Sequence, residues 1–427
     1  MDFIMEITLL YCCIFIAILS VYRIRKEKII SPYFIFTFYW LFVFLCFLYC
    51  NIKFEMFPVT ATTINVYGLG IIAFNISNVK KIKSFHIVSY KKDESDIAGK
   101  RVILLYAIGI CFSLVYFVRC VKLLEQGYTT AHIRNLFINN PTSWGPVRNS
   151  LDIILYNVVV TPLKYVAIAL LPIELFSGKR NKRILIMLII FIIVCDPAGG
   201  RILYLNIAIS VIVYFLFWSQ NAIFFKKKGI KRKRKLIVAI SGLMIFLMYM
   251  MSIFRGIDAS RLINQFFIYY GGSINFCDYQ LINLPDDFEY TYGMTCGATF
   301  FRIIFKFFEI FGISVPSRWN ELEEYISAFQ KFIEIGEGIK FNAFTGAFYY
   351  FYLDGGFFSV FVESFLWGLM CRYIYKKALL TRKKYYMSIY LILIVGIATS
   401  MVRWSLFQWQ YSFAFLYIWF LKKRYKE

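Results

Sequence analysis

Apolar runs of about twenty residues follow one another along this chain, separated by short basic segments. A run of that length is what a helix needs to cross a hydrocarbon layer about 30 Å thick. A soluble protein of 427 residues would bury a large core without them. With 60% hydrophobic and 17% charged residues, the sequence reads as an all-α polytopic membrane protein. The runs place about eleven transmembrane helices (ten to twelve), at roughly 4–22, 32–52, 59–79, 102–122, 151–176, 184–198, 202–219, 236–254, 347–371, 386–402 and 404–421. The sixth is short and the last two join tightly, as tilted or re-entrant segments do. The apolar run after Glu6 has neither a basic leader nor an Ala-x-Ala site, and reads as a retained first span.

A net charge of +23 raises the question of a nucleic-acid partner. The pattern argues against one. The cations fall in the clusters RIRKEK (23–28), KKIK with KK (80–92), KRNKR (179–183), KKKGIKRKRK (226–235), RYIYKK with RKK (372–384) and KKRYKE (422–427). All lie on one side of the membrane if the eleven spans hold, and the positive-inside rule makes that side cytoplasmic. The N-terminus is then expected outside and the C-terminus inside. One membrane-embedded domain, 1–427, would carry two sizeable outer segments, 123–150 and 255–346, ahead of C-terminal spans at 347–421. The larger segment holds seven Lys or Arg against eleven Asp or Glu and lacks a continuous apolar span. Its WNELEEYISAFQKFIEI stretch (319–335) has helical apolar spacing. Connections this long usually have work to do.

With bulk cations kept inside, the basic residues left outside are informative. Among them are Arg134 in TTAHIRNLF, Arg201 in DPAGGRILYL, Arg255 in SIFRGIDASR with Asp258 and Arg261 behind it, Arg302 in ATFFRIIF, and Arg403 in SMVRWSLF. A guanidinium holds two phosphate oxygens with fixed geometry, so several around one cavity would suit a diphosphate or a strongly acidic substrate. An Arg at a span end also snorkels to lipid headgroups, which serves Arg302 and Arg403 equally well. Arg201 and Arg255 each neighbour a glycine, where backbone can pass close to a ligand. Arg261 could instead pair with Asp258, three positions earlier.

Asp354 opens the span NAFTGAFYYFYLDGGFFSVFVESFLWG, followed by Gly355 and Gly356. An ionisable group there is costly unless it faces a polar cavity. It could orient an arginine, hold a sugar hydroxyl, accept a proton or form a salt bridge; the glycines leave room for a ligand or a helix. Glu363, nine residues on, would face the opposite side of a continuous helix and pack by a hydrogen bond. His132 is the one outer histidine and a candidate general base. Of the ten cysteines, Cys277 and Cys296 lie in the long outer segment, as a pair or as two thiols. No nucleotide loop, catalytic triad or metal-ligand cluster stands out, so no cofactor and no metal are expected.

The layout and these motifs resemble the bacterial oligosaccharide repeat-unit polymerases, the Wzy-type O-antigen and capsular polysaccharide polymerases. The resemblance is carried by GYTTAHIRN, DPAGGRILYL, FRGID and NAFTGAFYYFYLDGGFFSVF in that order. Where this family usually has Asp, an aromatic and Gly, Asp354 here meets Gly355 directly. The resemblance implies that Arg134, Arg201 and Arg255 match family arginines on the outer face. It implies a nucleotide- and metal-independent glycosyltransferase in the bacterial cytoplasmic (inner) membrane. Such an enzyme moves a growing glycan from undecaprenyl diphosphate onto a single lipid-linked repeat unit. Its partners would be that donor and acceptor, with a chain-length regulator and a flippase of the same pathway. Catalytic roles fall to Arg255, Arg201, Asp354 and His132. Binding roles fall to Arg134, Asp258, Arg261, Arg302, Arg403, Gly355 and Gly356. A lipid-linked polysaccharide ligase shares the layout and would lean on His132. A flippase or other transporter would show internal repeats and polar residues deep in many spans. A polyprenyl-phosphate glycosyltransferase would carry an acidic pair near 51–58, where only Glu55 stands. A non-catalytic partner of an assembly complex is the remaining alternative.

Overall fold

The computed structural model describes all residues except 1, 25–29, 79–96, 130–131, 134–135, 137–154, 177–180, 197–199, 221–234, 236–237, 245, 247–248, 251–261, 286, 343 and 424–427. In chain order its helices are α1 (Asp2–Ile24), α2 (Pro32–Lys53), α3 (Ala61–Ile76), α4 (Gly99–Glu125), α5 (Thr161–Phe176, led by a π-helical turn at Tyr156–Val160), α6 (Lys182–Val194) and α7 (Arg201–Gln220). After these come α8 (Leu262–Ile282), α9 (Ala298–Ile310), α10 (Ser317–Ala328), the strands β1 (Ile333–Gly336) and β2 (Ile339–Phe341), then α11 (Ala347–Thr381), α12 (Lys384–Ala398) and α13 (Trp409–Leu421). Among the described residues five helices are long and apolar enough to cross a membrane: Phe3–Ile24, Pro32–Lys53, Gly99–Glu125, Tyr156–Phe176 and Ala347–Thr381. Ala61–Ile76, Arg201–Phe217 and Lys384–Ala398 are shorter apolar helices. The expected run at 236–254 lies partly outside the described residues.

The chain forms two compact units. The first comprises residues 1–84, 261–376 and 396–409. Its centre is aromatic. Phe36 stacks on Phe74 at 3.8 Å, Trp40 lies 5.0 Å from Phe348, and Trp367 and Trp404 meet edge-on at 4.9 Å. Offset and edge-on contacts of this kind match the ring quadrupoles and fill space densely. Ser31 caps α2 by accepting from the Phe34 N–H at 3.2 Å, with Pro32 at the first helical position.

One sequence expectation changes in this unit, and another is filled in. Residues 262–282, in the segment read as partly helical without an apolar span, form a continuous helix, α8, that is not among the helices apolar enough to cross a membrane. Its polar residues lower its hydropathy, but they are answered inside the protein. Asn275 Nδ2 donates to the Phe57 carbonyl at 3.0 Å. The Asp278 carboxylate accepts from the Thr60 N–H and from the Thr60 and Thr63 hydroxyls at 2.6–2.8 Å. At Gly271 a Cβ would fall 2.7 Å from the Cys46 carbonyl oxygen, so only glycine lets α8 lie this close to α2. The helix expected through 335 ends instead at Ala328. A hairpin follows, with Ile333 paired to Phe341 and Glu334 to Lys340. Its turn uses Gly338 at φ 68°, and Glu334 Oε1 accepts from the Gly338 N–H at 2.8 Å.

The second unit comprises residues 85–260, 377–395 and 410–427. Here α4 packs on α6, and α5 on both α6 and α7. The Tyr106 ring lies 5.1 Å from Phe191 while its hydroxyl donates to the Leu163 carbonyl at 3.2 Å. The start of α4 is tied to the end of α13, Ala98 N–H to Leu421 O at 2.9 Å and Arg101 Nη1 to Phe420 O at 2.8 Å. These bonds satisfy carbonyls that a helix end leaves without partners. Lys384 meets the buried Glu174 at 2.6 Å, a placement that balances a charge which would otherwise be costly to bury.

Candidate functional site

The helix α11 is broken where the sequence places its Gly-Gly pair. Gly356 has φ 61° and ψ −147°, a conformation strained for any side chain. The opening is filled by the protein itself, since a Cβ on Gly356 would meet the Tyr290 hydroxyl at 3.0 Å. Just before the break Asp354 is 1% exposed. Its Oδ1 accepts from the Thr291 hydroxyl and from the Thr295 N–H at 3.0 Å, and its Oδ2 from the Cys296 N–H at 2.9 Å. The Thr295 hydroxyl stands 2.6 Å from Oδ2 and 2.5 Å from the Tyr350 carbonyl. Thr291 N–H and Tyr292 N–H donate to the Leu353 and Asp354 carbonyls, each at 3.0 Å. Asp354 thus pins the 291–296 segment onto α11.

The break also changes the place of Glu363. On an unbroken helix it would face away from Asp354. With two non-helical residues between them, Glu363 comes near enough to Asp354 and the Cys296 thiol to act on them electrostatically. Cys296 and Cys277 carry no disulfide. Burial, then the neighbouring Glu363 and Asp354, push the Cys296 thiol well up.

Arg302 follows the pinned segment on α9 and is engaged within its own unit. Its Nε donates to Glu323 at 2.6 Å and its Nη1 to the Phe407 carbonyl at 2.7 Å, while its guanidinium lies 4.4 Å from the Phe407 ring. Arg403 is half-buried and close enough to act electrostatically on the Tyr350 phenol, as Arg302 is. Asp354, Gly355, Gly356, Arg302 and Arg403 therefore belong to one unit.

A second polar cluster sits in the other unit, at the ends of α5, α6 and α7. Asp196 follows α6, and its Oδ2 accepts from the Gly200 N–H at 3.1 Å, holding the turn that leads into Arg201. Arg201 is half-buried and is the first residue of α7. Lys164, one turn into α5, has its Nζ 3.6 Å from the same Oδ2, with both side chains about one-sixth exposed (17% and 16%). That separation is an ion pair rather than a direct hydrogen bond. The Lys164 ammonium also lies 5.8 Å from the Tyr156 ring, whose hydroxyl donates to the Cys195 carbonyl at 2.8 Å. Lys164 thus pairs with Asp196, in partial contact with the surroundings, and Arg201 begins α7 one residue after Gly200, whose N–H that carboxylate holds. Such an arrangement can hold a multiply charged anion by charge-assisted contacts.

His132 lies in the same unit, exposed, its ring 5.1 Å from Tyr128 and its backbone N–H donating to the Thr129 hydroxyl at 3.2 Å. Arg134, Arg255, Asp258 and Arg261 lie outside the described residues. Among the described residues no three His, Cys, Asp or Glu side chains converge as metal ligands do. The sequence reading missed Lys164 and Asp196. Lys164 had left a signal, a lone cation inside an apolar run, which a membrane helix rarely carries without a use. No protein-family model, no curated protein and no solved structure matches the chain.

Proposed function

We propose that the protein is a polysaccharide polymerase of the bacterial cytoplasmic membrane. In this reading about eleven spans place the N-terminus outside and the C-terminus in the cytoplasm. It transfers a growing glycan from undecaprenyl diphosphate to the terminal hydroxyl of a lipid-linked repeat unit at the outer face. The glycosidic bond forms at the donor's anomeric carbon as its bond to the diphosphate breaks. The hydroxyl proton is released, and undecaprenyl diphosphate leaves. No nucleotide is needed, because the donor is already activated.

The observation that carries this reading is the Lys164–Asp196–Arg201 cluster. Charge develops on the leaving diphosphate during transfer, and fixed cations matched to that charge lower the barrier. Arg201 supplies a fork for two phosphate oxygens and Lys164 a point charge. Asp196 fixes the turn that presents Arg201 and offsets part of the positive charge while the site is empty. By the resemblance, Arg255 and Arg134 would share that task, and binding roles would fall to Asp258, Arg261, Arg302 and Arg403, of which Arg302 would first have to leave Glu323 and the Phe407 carbonyl. His132 is the general-base candidate.

The test resolves lipid-linked glycans by size in a strain lacking the gene. A polymerase defect leaves single repeat units and no long chains. Long chains accumulating on the carrier would replace this reading with a ligase acting through His132. Repeat units trapped on the cytoplasmic side would replace it with a flippase.

A further inference from the structure

We propose that α9 (Ala298–Ile310) lies in the plane of the membrane interface, with its exposed apolar stripe sunk among lipid headgroups and upper acyl chains. The proposal rests on the bilayer placement of α11, and not on glycosyl transfer.

The starting observation is a helix with three faces. Phe301 and Phe305 turn inward, the Phe305 ring lying 5.2 Å from Trp319 of α10 in a tilted contact. Arg302, Lys306 and Glu309 form a polar edge, with Lys306 paired to Glu309 at 2.5 Å. The third face carries Phe300, Ile303, Phe307 and Ile310, which are 66, 40, 56 and 68% exposed. Their spacing of three and four residues makes a continuous stripe. Large apolar side chains left outside at helical spacing mark a surface that something covers.

The anchorage of α9 says what covers it. The segment just before the helix is pinned to residues 350–354 of α11 through Thr291, Thr295 and Cys296. Those residues lie three to seven positions from the start of α11 at Ala347, or about 5–10 Å along its axis at about 1.5 Å per residue. Helices lying in a membrane interface sink their apolar faces by about 5–10 Å. The depth at which α9 is tethered therefore matches the depth at which such a helix floats. Further along α11, Phe358 is 76% exposed, a second large apolar side chain left outside. Lys306 stands at the margin of the stripe, where a lysine stem can lie on apolar surface with its ammonium among lipid phosphates. The occupant that fits all three observations is lipid.

The full chain is reconstituted in vesicles of phosphatidylethanolamine and phosphatidylglycerol, with a benzophenone amino acid in place of Phe300, Ile303, Phe307, Phe358, Glu321 or Glu324. All six positions are exposed, so the added ring disturbs no packing. After illumination, lipid adducts are expected at the three α9 positions in yields comparable to Phe358, with loss of adduct at Glu321 and Glu324 of α10. Adducts at Phe358 but not on α9 would overturn the interfacial placement alone. Cross-links from α9 to a second copy would overturn it in favour of a protein contact. Absence of lipid adducts at Phe358 as well would overturn it together with the membrane placement of α11.

Discussion

Asp354 and Asp196 are both carboxylates set among apolar helices, yet the structure treats them differently. Asp354 is sealed, and every oxygen has a donor from the 291–296 segment. Asp196 keeps one direct bond to the Gly200 N–H and a looser pairing with Lys164, and stays partly exposed. A fully answered carboxylate holds structure together, because any change strands several buried donors. A carboxylate in a looser pairing with a cation can exchange partners when an anion arrives. The contrast teaches that burial of an acid in a membrane helix does not by itself mark chemistry.

The comparison can be broken most sharply at its chemical end. Arg201→Ala and Lys164→Ala should each leave protein in the membrane at normal amount while polymer formation collapses. Loss of one charge-assisted contact to a leaving group costs about 2–5 kcal/mol, a rate loss of roughly 30- to 5,000-fold. Chain-length profiles from equally expressed variants read this out. Near-normal polymer from both would leave the cluster without a role in transfer. Arg201→Lys should recover only part of the activity, since a point charge lacks the fork.

At the structural end, Asp354→Ala should destabilise the fold by about 3–5 kcal/mol, because it leaves buried donors unpaired. Thermal aggregation of the detergent-solubilised protein reports the loss. A variant that melts like the parent and yet makes no polymer would reverse the assignment and make Asp354 a participant.

A smaller effect is expected at Asp196→Ala, about 1–3 kcal/mol, since one bond to the Gly200 N–H and one loose ion pair disappear. It should fall on polymer yield more than on protein amount, because the turn that presents Arg201 slackens. The smallest concerns Cys296. Its thiol is pushed up by burial and by Glu363 and Asp354, so the thiolate is scarce at neutral pH and alkylation should speed up only as pH rises. Glu363→Gln removes one of those upward influences and should move the onset of alkylation to lower pH. An unchanged profile would mean that Glu363 does not reach the thiol.

Much of the helical content was legible because a twenty-residue apolar run has few alternatives in lipid or in a helical core. The limits of α2, α4 and α7 fall within a few residues of the expected 32–52, 102–122 and 202–219. What sequence patterning missed was set by partners far along the chain. The α8 helix looks too polar for a buried helix until Thr60 and Thr63 are seen to answer Asp278 across more than two hundred residues. Glu363 looks remote from Asp354 until Gly356 takes a left-handed turn that helical periodicity cannot anticipate. Arg302 read as an anion ligand or a headgroup anchor, whereas Glu323 and the Phe407 carbonyl occupy its fork. The Asp196–Lys164 pair was hidden for another reason. An aspartate at a Pro-Ala-Gly-Gly turn looks like turn chemistry, and only the fold brings a lysine from a preceding helix beside it.

The tie between the 291–296 segment and Asp354 also has a consequence in time. The donors are made 58 to 63 residues before their acceptor. At a synthesis rate of about 5–20 residues per second, Thr291 and Cys296 wait roughly 3–13 s for the carboxylate that fixes them. Through that interval α9 already exists as a sequence with one strongly apolar side and no tether. A nearby bilayer surface would shelter that side from aggregation until α11 is inserted, so the order of synthesis favours a helix that can rest on lipid before it is locked to protein.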